Sequence, residues 1–402
     1  MIRLKNIKHF NSGHKDIVKL LSAEFFTKIM TALVYGILPV VLMILYDEWR
    51  AGLFIGIIGL LQAFLVDPIS GTLSDKIGAR KLMIYSSISL FLAGLVWLIF
   101  PINSITLLLF TILFFMNYGF RNVDAYILRA TKKEESGFIF GVFTDILAIG
   151  CFISTLLIPY FAVNQNIKLI GFMMIFFSLY GIFILLNIKD DLKKKTKINL
   201  SSFNIFLNLK NSIHFIKTNN GYPLLSLGTS IFEGLFYGVI WFVIPVHVVN
   251  SGLSGLNEGL QLGIYEVITI FIAGYTGYLA DKYNWKHIHS FGWIFMILGL
   301  IALPFYSWPT SLIIIGVIIA IGNNLSNSAA KHTLGFYDND HDEDGSFSAT
   351  SKMSMNIGYG IAPILAGYFY FNYGFSPAMA VATVSCSILG LWMLYLTWKL
   401  EK

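Results

Sequence analysis

Apolar residues run through this 402-residue chain in stretches too long for the core helices of a soluble protein, separated by short polar turns. Twelve such stretches fall at 17–46, 51–74, 82–101, 104–128, 138–162, 167–187, 222–249, 259–280, 288–306, 310–330, 346–371 and 376–398. Each supplies the roughly 20 residues that cross a bilayer as a helix, which satisfies its backbone polar groups internally. The pattern therefore predicts an all-α membrane protein with twelve transmembrane helices. The first stretch is about twice as long as a signal-peptide core and carries Glu24 and Lys28, so it reads as a retained span.

Composition agrees with the pattern. Mean hydropathy is +0.71 and only 12% of residues are charged, against roughly 25% in soluble domains. Lys and Arg crowd into alternate loops, beginning with residues 1–16, while the opposite loops hold only Arg50 and Lys168. That asymmetry predicts a multi-pass protein of the cytoplasmic (inner) membrane with both termini cytoplasmic. The net charge of +6 is then accounted for by topology and contact with anionic lipid, and calls for no nucleic acid. Cys151 and Cys386 lie inside spans with no metal-ligand spacing, so neither a disulfide framework nor a metal site is expected.

The longest polar interval divides the chain into a first six-helix bundle at 1–187, a cytoplasmic linker at 188–221 and a second bundle at 222–402. Within the linker, Leu200, Phe203, Phe206, Leu209, Ile213 and Ile216 recur every three or four residues, which predicts an amphipathic helix on the lipid surface. The two halves repeat. A charged turn with Gly71, Asp75, Lys76, Gly78, Arg80 and Lys81 returns half a chain later as Gly277, Asp281, Lys282 and Lys286, with Asn284 replacing the second glycine. Pro39 pairs with Pro245, and Gly137 with Gly345, at nearly the same offset. Glycine suits such a turn because the chain reverses tightly just below the lipid.

Twelve spans in two pseudo-symmetric halves, a basic central loop and this turn resemble the major facilitator superfamily, including a drug:proton antiporter-like branch. The resemblance implies that Asp75 faces the start of span 11 and locks an outward-open state. It also implies that spans 1, 4, 7 and 10 line a central cavity.

Polar stripes occur on those same four spans. Glu24, Lys28 and Tyr35 mark span 1; Asn117, Arg121 and Asp124 span 4; Glu233, Tyr237 and Trp241 span 7; Asn323 and Asn327 span 10. Ionisable groups within hydrocarbon cost about 2.5–3.5 kcal/mol each on insertion scales, so they face a cavity or a partner. Glu233, with no basic residue within a helical turn, is the leading proton-coupling candidate, followed by Glu24 and Asp145. Lys28, Arg121 and Asp124 are expected to join a charge network, with Glu24, Arg121 and Asp145 at similar depth. Asp124 is expected to pair with Arg80 or Lys81, as the resemblance favours. Glu266 is expected at an outer gate or in the cavity, and Asp67 near the surface and partly hydrated. Tyr35, Tyr237 and Trp241 suit a hydrophobic or amphiphilic solute. The acidic run 338–344 lacks calcium-loop spacing and reads as a solvated loop.

Together these features point to a monomeric secondary transporter working by rocking alternating access, with proton-coupled export of a small molecule. An uptake symporter, a lipid flippase and a non-transporting sensor or scaffold remain as alternatives. No phosphate-cradling glycine loop or catalytic constellation is visible, so neither a cofactor nor an enzymatic activity is expected.

Overall fold

The computed structural model describes residues 12–130, 133–164, 166–191, 223–251, 255–305, 310–334 and 344–400, with isolated positions between 210 and 221. Of the amphipathic helix expected in the linker only isolated positions are described, among them Ile213, which is helical and exposed, and the acidic run before Asp344 lies outside the described residues.

Among the described residues twelve helical spans follow in chain order. In the first half they are α1 (Ser12–Leu42), α2 (Glu48–Ile77), α3 (Ala79–Ile99), α4 in two pieces (Ser104–Phe120 and Val123–Ala130), α5 (Lys133–Asn164) and α6 (Ile167–Leu186). In the second they are α7 (Pro223–Ser251), α8 (Gly255–Lys282), α9 (Trp285–Ala302), α10 (Thr310–Leu334), α11 (Asp344–Tyr373) and α12 (Phe375–Lys399).

Two spans are irregular. A π turn, Gln62–Val66, interrupts α2 directly before Asp67 and Pro68. Proline has no N–H for the helical ladder, and a one-residue expansion of the turn absorbs that mismatch. Span α4 starts on a capping box, in which Asn103 accepts from Thr106 N while Thr106 Oγ1 accepts from Asn103 N. It then breaks at Arg121 and Asn122, where Arg121 leaves the helical region at φ −86° and ψ 78°.

The first bundle packs α3 on α4 and α6, and α1 on α5; the second packs α9 on α10 and α12, and α7 on α11. The bundles meet along α2–α11 and α5–α8. Glycines let the α2 and α11 backbones touch: a Cβ on Gly59 would stand 3.2 Å from Gly360 Cα, and one on Gly52 would stand 3.3 Å from Gly367 Cα. Such close approach is how helices associate where lipid removes the hydrophobic incentive.

From Ile29 to Leu42 every residue of α1 except Tyr35 is buried, and so is α7 from Gly238 to Val246. A helix covered on all sides has neighbours on all sides, so the bundles are sealed at the face carrying the 43–47 turn. On the perimeter Phe172, Phe183, Phe271, Leu298 and Trp392 are exposed, as befits side chains meeting acyl chains rather than water. Tyr395 and Trp398, also exposed near the end of α12, occupy the depth where amphipathic rings anchor a span.

Candidate functional site

A cavity of about 160 Å³ lies between the bundles, well above the ~10–15 Å³ needed to admit a single water. The structure brings Lys28, Tyr35, Glu233, Tyr237, Trp241, Glu266, Asn323 and Asn327 together on its wall, from α1, α7, α8 and α10. Tyr118 of α4, Cys151 of α5, Asn324 of α10 and Tyr359 of α11 also line it. Tyr118 and Tyr359 were missed by the sequence reading because an isolated tyrosine in an apolar span carries no periodic signal.

The two halves supply opposite charges. The Lys28 ammonium lies beside Cys151 and within electrostatic reach of Glu266. Glu266 therefore belongs to the central cavity and not to an outer gate. Glu233 Oε1 accepts a hydrogen bond of 3.0 Å from Asn327 Nδ2, so one amide of the α10 stripe holds the α7 carboxylate. Tyr35 stacks on Tyr359 across the bundle interface, with centroids 5.6 Å apart and an interplanar angle of 18°. The site can thus hold a cationic or zwitterionic group at its acids and an apolar portion against its rings.

A second polar network lies inside the first bundle. Arg121 Nε donates to Glu24 Oε2 at 2.7 Å, its Nη2 donates to Thr27 Oγ1 at 2.7 Å, and its Nη1 donates to Ser86 Oγ at 3.4 Å. Glu24 and Lys28 consequently part company along one helix: the first faces its own bundle and the second the cavity. Asn117, expected in the cavity, instead accepts from Ser86 Oγ of α3 at 2.8 Å. Its side chain is fully buried there. Asp145 does not complete the expected trio, and its Oδ1 is buried without a hydrogen-bond partner among the described residues. Asp124 lies beyond the α4 break, which removes it from the face it would share with Asn117 and Arg121 in an unbroken helix.

The charged turn is organised by residues outside it. Gly78 adopts φ 95°, a left-handed conformation that glycine reaches without penalty. Asp75 Oδ1 accepts from Arg129 Nη2 of α4 at 2.6 Å, and Arg129 Nη1 donates to Asp191 Oδ2 at 2.8 Å. Asp191 also accepts from the backbone N–H groups of Ala79 and Arg80 at 2.8 and 3.1 Å. It thereby caps α3 from a distant part of the chain, where a carboxylate suits a helix N-terminus. Arg80 does not meet Asp124; its Nε and Nη2 donate to the carbonyls of Leu185 and Leu186, closing the end of α6. Lys76 and Lys81 are half-buried beside it, and Gly71 is buried. In the second copy Gly277 has open space around it, and the Lys282 Nζ lies 5.5 and 5.4 Å from the Tyr278 and Tyr283 ring centroids. The Asp281 side chain lies outside the described residues.

Asp67 corrects the expectation of partial hydration. It is fully buried against α11, where Asn356 Nδ2 donates to its Oδ2 at 2.7 Å. Lys352, also on α11, reaches Asn122 Oδ1 at 2.9 Å and the Arg121 carbonyl of α4. At the opposite face Asn250 Nδ2 of α7 donates to Glu48 Oε1 of α2 at 2.8 Å. These cross-bundle bonds join residues far apart in sequence, so spacing held no sign of them.

Comparison with known proteins is consistent over most of the chain. The Major Facilitator Superfamily model matches residues 21–337. An uncharacterized transporter, BU588, of Buchnera aphidicola subsp. Acyrthosiphon pisum is 24% identical over 307 residues, 74% of this chain and 71% of that protein. Among solved structures, the human organic anion transporter MFSD10 (TETRAN) superposes with a TM-score of 0.75 at 13% identity, covering 96% of this chain and 100% of that one. A POT family transporter in complex with a thioalcohol-conjugated peptide gives 0.70 at 13% identity, covering 96% and 97%. These likenesses establish the fold.

Proposed function

The chain belongs to the major facilitator superfamily, and on that premise we propose that this secondary transporter exchanges protons for a small amphiphilic solute, which it exports. The observation that carries the reading is the meeting of Glu233, Glu266 and Lys28 with the rings of Tyr35, Tyr237, Trp241 and Tyr359 in one inter-bundle cavity. An apolar or aromatic portion of the solute lies against the rings, and a basic group competes with the proton for the acids. Glu233 is the exchange site, because it faces the cavity beside Glu266 and its exposure to water changes sides as the bundles rock, while Asn327 of its own bundle keeps it oriented. Lys28 and Glu266 set the charge that the solute must complement.

The Lys and Arg distribution supports cytoplasmic termini in the inner membrane. The face carrying the 43–47 turn then looks away from the cytoplasm; the choice of export rests on the charged turn and the aromatic lining of the cavity. The bundles at 1–187 and 222–402 are the moving parts, the 188–221 linker is their tether, and a single chain contains the whole site.

Proteoliposomes with an imposed proton gradient test the reading. A fluorescent amphiphilic cation should accumulate against its gradient only when protons flow the other way, and Glu233→Gln should abolish the gradient-driven part. Proton-driven accumulation by the Glu233→Gln protein at the wild-type rate would rule out this assignment.

A further inference from the structure

One polar cluster belongs to neither the cavity nor the charged turn. It surrounds Asp67, where the π turn of α2, the break in α4 and the middle of α11 converge. Asn356 Nδ2 donates to Asp67 Oδ2 at 2.7 Å across the bundle interface, and both side chains are fully buried. Lys352, one turn away on α11, donates to Asn122 and to the Arg121 carbonyl and lies within electrostatic reach of Asp67. Among the described residues, Asp67 Oδ1, Asn356 Oδ1 and the amide atoms of Gln62 are buried without a hydrogen bond of good geometry, although the Gln62 amide lies close enough to favour the Asp67 carboxylate.

The origin of the stabilising groups decides what this cluster can do. A carboxylate out of water persists only if hydrogen bonds or an opposite charge replace its hydration. For Asp67 the bonded amide and the ammonium both come from the second bundle. Its own bundle contributes less: the Gln62 amide on the same helix is the weakest of the three partners, while Asn122 Nδ2 donates to the Ser70 carbonyl and Ser70 Oγ to the carbonyl of Asp67 itself. The other titratable groups facing Asp67 are Tyr118 of α4 and Tyr35 of α1, neither of which supplies positive charge. When α11 moves away, Asp67 loses its two main stabilising groups together and keeps only the Gln62 amide, and a proton from the water admitted there replaces what was lost. By reciprocity, a proton already bound on Asp67 weakens the contact with α11.

We propose that Asp67 is a second proton-binding site, outside the substrate cavity, loaded when α2 and α11 separate and emptied when Asn356 and Lys352 return. It makes the bundle equilibrium respond to pH with no substrate present. This rests on the rocking motion of the proposed transport cycle but not on any role of Glu233.

The test reads cavity access rather than flux. Cys151 lines the cavity while Cys386 is fully buried, so N-ethylmaleimide labelling of the full-length protein in liposomes, mapped by mass spectrometry, reports opening at Cys151 with Cys386 as internal control. Rates of a variant relative to wild type at the same pH cancel the titration of the thiol itself. Asp67→Asn imitates the protonated acid, so its Cys151 should react about fivefold faster than wild type near pH 8 and at the wild-type rate near pH 5.5. A rate ratio that does not change with pH overturns the proposal. Should that variant fail to assemble, Asn356→Ala keeps the acid and withdraws its donor, and must move the pH at which Cys151 labelling accelerates; a profile identical to wild type is again a refutation. Because neither substrate nor gradient is used, loss of coupling at Glu233 and failure of the Asp67 site are separate results.

Discussion

Glu24 and Arg121 stand 97 positions apart and form an ion pair of 2.7 Å, with side chains only 4% and 8% exposed. The pair ties α1 to the break in α4 within one bundle. Removing one member leaves the other charge buried and uncompensated, which costs about 3–5 kcal/mol, whereas replacing both by apolar residues of similar volume is close to neutral. Arg121→Ala should therefore lower the unfolding temperature in detergent sharply. The double substitution Glu24→Leu with Arg121→Met should recover most of that loss, and equal losses in the single and double variants would show that the charges themselves contribute nothing.

The glycine contacts between α2 and α11 make a steric prediction. A side chain on Gly360 would meet Leu60 at 2.6 Å and the Leu60 backbone nitrogen at 2.9 Å, so Gly360→Val forces the bundles apart. The expected cost is about 1–3 kcal/mol from overpacking, with transport falling further than stability because the contact surface itself is displaced. Gly277→Ala is the stability control: its added methyl meets nothing within 4 Å, and a change within about 0.5 kcal/mol is expected. Unfolding curves for the two variants decide the point.

At the charged turn, Asp191 is predicted to matter more to stability than the residues of the repeated motif. It satisfies Arg129, whose side chain is 4% exposed, together with two N–H groups at the start of α3. Asp191→Ala should cost about 3 kcal/mol. Gly78→Ala should cost about 1–2 kcal/mol from the left-handed backbone alone, and its Cβ would also crowd Asp191 Oδ1 at 2.7 Å. Thermal unfolding of both variants checks the order.

In the cavity, Lys28→Met should separate binding from fold. The methylene stem is kept and the charge is removed, leaving Glu266 less compensated, so the unfolding temperature should hold or fall modestly while affinity for a zwitterionic or anionic amphiphile falls about tenfold, the effect of ~1.4 kcal/mol. Titration of tryptophan fluorescence, with Trp241→Phe isolating the cavity ring, measures the affinity. Unchanged affinity for every charge class would remove Lys28 from the binding surface.

Much of the architecture was legible before any coordinates. The stretch expected at 167–187 is the helix Ile167–Leu186, and that at 376–398 is Phe375–Lys399. Lipid makes this possible, because a spanning segment must be apolar along its whole length and the signal is local. The cavity was half legible: Glu233, Tyr237 and Trp241 recur at helical spacing and do share its wall. The stripe Asn117, Arg121 and Asp124 misled, since a regular helix was assumed through the point where α4 breaks. Glu24 and Lys28 misled in another way. Four residues apart, they share a helix face, yet their long side chains diverge to partners on different helices.

The sequence by itself determined that this chain spans a membrane twelve times in two related halves and that its polar residues collect on particular helices. Each of those facts depends on local composition and a short period. Only the tertiary structure decided that Asp67 answers to Asn356, that Arg129 and Asp191 hold the charged turn, and that Glu266 shares a chamber with Lys28. The energy of a buried polar group is set by whichever atoms surround it in space, and in this fold those atoms come from segments tens to hundreds of residues away.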